Sequence, residues 1–198
     1  MAQELMEFGD FLNARERYFL AIKQDPTSFA AHYGLGMSHC AEAIYKTELD
    51  LATPADWYPA IYHTTLASRL KHSNEMEKTL AILHFNLGAQ YKKRGDNGAA
   101  IPRLEQALSY DNTLLKALNL LGAIYHQAGD FTNARLSYKR IIALQSDYAI
   151  AHFNLGAAAW AMGDFASAKK HFQQALLLDS GNVHFQTWFN RAADRVGQ

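Results

Sequence analysis

Asn86-Leu87-Gly88-Ala89, Leu120-Leu121-Gly122-Ala123 and Asn154-Leu155-Gly156-Ala157 set their three glycines 34 residues apart. Seven residues after each glycine comes another, followed by aspartate: Gly95-Asp96, Gly129-Asp130 and Gly163-Asp164. An alanine stands four residues beyond each aspartate (Ala100, Ala134, Ala168). After it come Leu104, Tyr138 and Phe172, then Ala107, Ile141 and Ala175. Gly9-Asp10-Phe11 opens the same pattern at the front and runs on through Ala14, Tyr18, Ala21 and Asp25-Pro26. So many agreements at one fixed period mark a stack of repeated supersecondary units.

Each period reads as two antiparallel helices. Leu87, Gly88 and Tyr91 share one face at helical spacing, and the glycine lets a neighbouring helix come close because it has no Cβ. Gly95, Gly129 and Gly163 stand where a helix ends on a left-handed residue. The aspartate after each accepts hydrogen bonds from the next helix's free N–H groups. Ala100, Ala134 and Ala168 are small where helices cross, and the bulky residue one turn later fills the space beside them. Pro102 falls early in its helix and predicts a slight bend or a late start.

Nineteen Lys plus Arg balance nineteen Asp plus Glu, for a formal net charge of zero. That balance argues against nucleic-acid binding, which needs a basic surface. A chain 49% hydrophobic and 19% charged is not disordered. One cysteine, Cys40, excludes an internal disulfide framework and a multi-cysteine zinc site; it reads as a small, buried hydrophobe. Met1-Ala2-Gln3-Glu4-Leu5 carries no basic stretch leading into an apolar run, which predicts no secretory signal. No apolar stretch approaches the ~18 residues of a membrane span. A cytoplasmic location is the expectation.

Leu-Gly-x-x-Tyr, Gly-Asp-Phe, Ala, an aromatic and Ala-Leu at period 34 resemble the tetratricopeptide repeat (TPR) family. The resemblance implies an all-α, right-handed superhelix of antiparallel helix pairs in one domain spanning 1–198. A partial repeat falls at 1–28 and an altered one at 29–80. Complete repeats follow at 81–114, 115–148 and 149–182. Residues 183–198, with Phe185, Trp188 and Phe189, read as a helix covering the last exposed face.

Two places depart from the pattern. Gly88 lies 52 residues after Gly36, eighteen more than one period. Thr53-Pro54-Ala55-Asp56 is a helix-start signature, and Asn74-Glu75-Met76-Glu77 repeats its logic. Three lengthened helices are therefore predicted, about 29–51, 54–72 and 75–94. Trp57, Tyr58 and Tyr62 cluster there with Tyr45 on the facing helix, either sealing the longer pair or forming a second contact surface. At the front the glycine's place falls on Ala2, so half of the opening helix is missing; the chain is a native stub or a piece of something longer, and an open end of this kind can pair with another copy.

Nothing in the sequence asks for catalysis, a cofactor or a metal. His32, His84 and His152 recur four residues before a repeat glycine, a packing position. His32 and His39, seven apart with Cys40 beside them, are weak metal-ligand spacing. His-Glu-x-x-His, Cys-x-x-Cys, Gly-x-Ser-x-Gly and a phosphate-binding loop are all absent. The expected activity is non-catalytic.

The resemblance instead implies peptide binding on an inner surface lined by the first helix of each repeat. Its inward places carry Phe85, Asn86 and Lys93, then Lys116, Asn119 and Leu120, then Phe153, Asn154 and Trp160, with Trp188 from the last helix. Ala89, Ala123 and Ala157 leave room for a ligand backbone. Asn86, Asn119 and Asn154 resemble the asparagine ladder some members use to hold extended peptides, and Leu120 interrupts it. Phe85, Phe153, Trp160 and Trp188 offer apolar anchors; several of them are equally well placed to be covered by a neighbouring helix. The family's carboxylate clamp for chaperone tails needs two Lys, two Asn and an Arg. Tyr33, Met37, Asn86, Lys116 and Leu120 stand in its places, so only two agree. Lys92, Lys93, Arg94 and Lys116 make a basic end that tunes preference toward an acidic segment, at ~0–1 kcal/mol per exposed contact.

The expected function is thus a protein–protein interaction module, an adaptor holding a peptide or helix of a partner protein. The alternatives are a self-assembling scaffold, with the chain as a homo-oligomer, or the repeat portion of a larger enzyme or secretion apparatus.

Overall fold

A computed structural model describes residues 10–197; Ala2 and Gly9 of the front repeat lie outside them. The described residues form helices joined by short turns, in two compact units meeting between Asn112 and Thr113.

The first unit carries α1 (Phe11–Gln24), α2 (Phe29–Glu48), a short 3-10 turn (Pro54–Trp57), α3 (Tyr58–Leu70), α4 (Asn74–Lys93) and α5 (Asn97–Tyr110). The second carries α6 (Leu115–Gln127), α7 (Phe131–Leu144), α8 (Ala149–Ala161), α9 (Phe165–Leu178) and α10 (Val183–Val196). Within the units α2 packs on α3, α4 on α5, α6 on α7 and α8 on α9. α10 closes the series against α9, burying Phe185 and Ala192 and half-burying Trp188 and Phe189 beside Phe172.

Several helix boundaries follow directly from their residues. Gly95, Gly129 and Gly163 have φ near +80° (80°, 78° and 79°) and end the first helix of their repeats. Asp10, Asp96, Asp130 and Asp164 each cap the following helix, accepting from the N–H of Asn13, Ala99, Asn133 and Ser167 at 3.2, 2.9, 3.1 and 3.0 Å. Pro102 does not delay α5, which begins at Asn97 and runs through the exposed proline to Tyr110. The start of α4 lies one residue earlier than the sequence signature suggests: Ser73, not Asn74, caps it, accepting from Met76 N–H at 3.2 Å.

The altered repeat proves complete. Asp56, Ala60, Thr64 and Ala67 stand in the spacing of Asp96, Ala100, Leu104 and Ala107, and Ala60, Thr64 and Ala67 are fully buried. A Cβ on Gly36 would meet Thr64 Oγ1 at 2.6 Å, as one on Gly88 would meet Leu104 at 2.9 Å. Gly36 to Asp56 spans 20 residues where Gly88 to Asp96 spans 8, so most of the insertion sits between the two helices of that repeat. It lengthens α2 and adds the 3-10 turn. Asp56 holds that turn, accepting from the Thr53 N–H and hydroxyl at 2.8 Å each.

The helix crossings depend on the repeat glycine. A Cβ on Gly122 would stand 2.5 Å from the Tyr138 ring, and one on Gly156 2.8 Å from Phe172, which is wholly buried. Gly156→Ala is expected to cost about 1–3 kcal/mol through overpacking, lowering the thermal midpoint by several degrees. Gly98→Ala, on an exposed helix surface with its nearest contact at 3.6 Å, is expected to be neutral or stabilising by up to ~1 kcal/mol. Thermal unfolding of the two variants checks both.

Candidate functional site

In the first unit Asn86 and Ala89, three residues apart and both half-buried, share one face of α4. They open onto a cavity of about 200 Å³ whose far wall is Ile44, Thr47 and Glu48 of α2, with Trp57 and Gln90 completing it. Gln90 Nε2 donates to Thr47 Oγ1 at 3.1 Å, and Thr47 in turn donates to the Ala43 carbonyl at 2.8 Å, tying α4 to α2 across the cavity. The Trp57 indole is 1% exposed and its Nε1 is a buried donor without a partner. Asn86 and Ala89 were readable as inward positions. Ile44, Thr47 and Glu48 were not singled out, although they continue the same helical spacing beyond Gly36 into the lengthened end of α2.

The basic end is partly neutralised, because Lys93 pairs with Asp50. Phe85 is half-buried on α4. The aromatic cluster of the insertion divides. Trp57 is not on the surface: it belongs to a core with Cys40, Ala43, Ala60, Leu83 and Leu87. Tyr45 and Tyr62 are exposed, and the exposed Tyr58 shares a hydroxyl hydrogen bond with Tyr91 at 2.7 Å beneath Arg103.

In the second unit Asn119 of α6 and Asn154 of α8 meet directly, Asn154 Nδ2 donating to Asn119 Oδ1 at 3.4 Å. The pairing leaves an amide donor on Asn119 and carbonyl lone pairs on Asn154 to serve a peptide unit. Lys116 is exposed and Leu120 half-buried. Phe153 stacks on Phe185 at 5.0 Å and lies 4.9 Å from His184. Trp160 meets Phe165 and Trp188 edge-on at 4.8 and 5.6 Å. Arg191 lies over the Trp188 ring. These three aromatics are thus largely engaged in packing α8 and α9 against α10, and each offers a ligand only its remaining exposed edge.

The recurring histidines sit in the packing. His32 and His152 are 6% and 8% exposed, and each Nε2 bonds the carbonyl six residues before it, Pro26 and Ser146, at 3.0 Å. Burial drives the Cys40 thiol up to about 11, leaving it a hydrophobe and not a nucleophile. Among the described residues, no group of three or more His, Cys, Asp or Glu is placed to hold a metal ion, and no helix is long and apolar enough to cross a membrane.

Two family profiles, described as TPR repeat and Tetratricopeptide repeat, match residues 122–163 and 149–182. No curated protein matches the chain. Among solved structures, a crystal structure of MamA protein is 23% identical with a TM-score of 0.57, over 91% of this chain and 88% of that one. YrrB, titled a TPR protein with an unusual peptide-binding site, is 18% identical with a TM-score of 0.58, over 94% and 87%. The first TPR of Spaghetti (RPAP3), bound to the HSP90 peptide SRMEEVD, is 21% identical with a TM-score of 0.58, over 61% and 96%. At these identities the likeness is one of fold.

His84, buried in the packing of α4 against Tyr110, gives the fold a pH dependence. Burial, and next the nearby Arg103 charge, depress its pKa to about 4. Its unfolded value is near 6.5, so the unfolded chain takes up the proton first as pH falls. Stability is full above about pH 6.5 and drains between there and pH 4, by about 2–3 kcal/mol for this residue. The thermal midpoint is expected to fall over that interval, and His84→Gln is expected to remove its share of the fall, leaving that of His63, which burial also holds down to about 4.

Proposed function

We propose that this tetratricopeptide repeat protein is a non-catalytic interaction module that holds an extended segment of another protein on the exposed faces of its first helices. The observation that carries the reading is the pocket on α4. The inward positions Asn86 and Ala89 open onto an apolar hollow of about 200 Å³, large enough for one aliphatic side chain, with a carboxamide at its rim for the adjoining peptide unit. The Asn119–Asn154 pair repeats the carboxamide in the second unit. Apolar capture with amide hydrogen bonds recognises backbone and one or two anchors more than a long sequence. Peptide complexes of proteins with this fold, such as the first TPR of Spaghetti, support that kind of ligand.

The ligand is not of the chaperone-tail class. Tyr33, Met37 and Leu120 occupy three of the five places a carboxylate clamp requires, and Lys93 is already paired.

Selection from a random twelve-residue peptide library supplies the probe. Asn119→Ala with Asn154→Ala is expected to weaken the selected peptide by about tenfold, since each lost amide contact is worth about 0.5–1.5 kcal/mol, with helicity unchanged. Ala89→Leu, which fills the pocket mouth, is expected to do the same. A peptide ending in Glu-Glu-Val-Asp is expected not to compete. Unaltered affinity in both variants, read by calorimetry, overturns the assignment.

A further inference from the structure

α1 differs from the other second helices on its outer face. Counted from the capping aspartate, the place of Phe19 is held by Glu105, Lys139 and Gln173 in the complete repeats, and that of Leu20 by Gln106, Arg140 and Gln174. Glu105, Lys139 and Gln173 are exposed, so the position points outward even where helices flank it on both sides. Only in α1 is that place apolar, α3 having Thr65 there, whereas Leu20's place is a leucine in α3 as well, Leu66. Leu12, Phe19 and Leu20 are 72%, 52% and 50% exposed. With Glu16 and Lys23, also exposed, they fall within about 100° of the helix circumference.

The charges on this face are arranged symmetrically. Glu16 stands three residues before Phe19 and Lys23 three after Leu20. Glu16 has no ion-pair partner among the described residues, and Lys23 rests over the Phe19 ring at 4.8 Å. An antiparallel pairing about a two-fold axis between Phe19 and Leu20 sets Phe19 against Leu20 of the second copy, and Glu16 against its Lys23, twice. A two-fold interface demands this self-complementarity.

Beyond Leu12 the apolar surface continues into a hollow of about 370 Å³ that includes Tyr45, Leu49 and Leu51. Among its flanking charges Arg15 pairs with Glu42, and Lys46 with Glu42 and Asp56 at 3.1 and 2.6 Å, while Asp10 is held as the cap of α1 by Asn13.

We propose that α1 is a self-association surface, on which two copies of this chain pair α1 against α1, antiparallel, through Phe19 and Leu20 flanked by two Glu16–Lys23 ion pairs. A single pair of helix faces is smaller than the ~1,200 Å² at which standard interfaces begin, so the dimer is weak and concentration-dependent. The surface is independent of the peptide site, and variants at Asn119 and Asn154 leave it intact.

Sedimentation velocity of the full chain from about 1 to 100 µM tests it, a range suited to micromolar affinity. The expected result is a monomer becoming a dimer. Glu16→Lys alone and Lys23→Glu alone each move the midpoint about tenfold higher, and the double variant Glu16→Lys with Lys23→Glu restores it. All these positions are exposed, so circular dichroism is expected to show the same helicity throughout. A dimer indifferent to the single changes, or one the double change does not restore, overturns the proposal. So does a monomer at every concentration. If Phe19→Lys then lowers that monomer's thermal midpoint, another part of the chain covers the face; if it does not, the face serves a different protein.

Discussion

The structure depends on one contact made repeatedly: the side chain of a second helix pressed onto a glycine of the first. Leu104 on Gly88, Tyr138 on Gly122 and Phe172 on Gly156 each occupy the volume a Cβ would take, at 2.9, 2.5 and 2.8 Å. Packing of this density tolerates little change in volume. The residue seated on the glycine varies from leucine to tyrosine to phenylalanine, and Thr64 serves on Gly36. The empty Cβ position is what stays fixed. Close crossing then orients each first helix so that the residues two before and one after its glycine turn away from the second helix, the positions of Asn86 and Ala89.

Much of this was legible because it is local. The left-handed glycines, the capping aspartates and the small alanines each serve a backbone requirement that few residue types satisfy, and a fixed period exposes them. The altered repeat was harder to read because its second half is separated from Gly36 by an insertion, and Thr64 is a smaller filler than Leu104 or Phe172. The aspartate–alanine–alanine spacing of Asp56, Ala60 and Ala67 was the available signal. Trp57 shows the limit of composition. Beside two exposed tyrosines it fits a seal and a contact surface equally in composition, and it is the 3-10 segment at this turn that takes the indole inward.

The candidate site was legible at its asparagines and alanines and not at its walls. Helical spacing assigns a residue to a face. It does not reveal that α2, 20 residues long where α6 and α8 have 13, runs on past its ordinary end far enough to set Ile44, Thr47 and Glu48 opposite Asn86 and Ala89. Nor does spacing show that Phe153 and Trp188 are engaged with the closing helix. The insertion therefore has a physical consequence: length added to α2 walls a hollow that Trp57 helps to line.

The central claim is that ligand is held on first-helix faces. Amide chemical-shift mapping by nuclear magnetic resonance, with a peptide selected from a random library as the probe, tests it most directly. The account predicts the largest perturbations at Asn86, Ala89, Asn119 and Asn154, with the side-chain amides of the asparagines moving as well. Perturbations confined to second-helix residues such as Leu136 and Lys139, with those carboxamides unmoved, would contradict it.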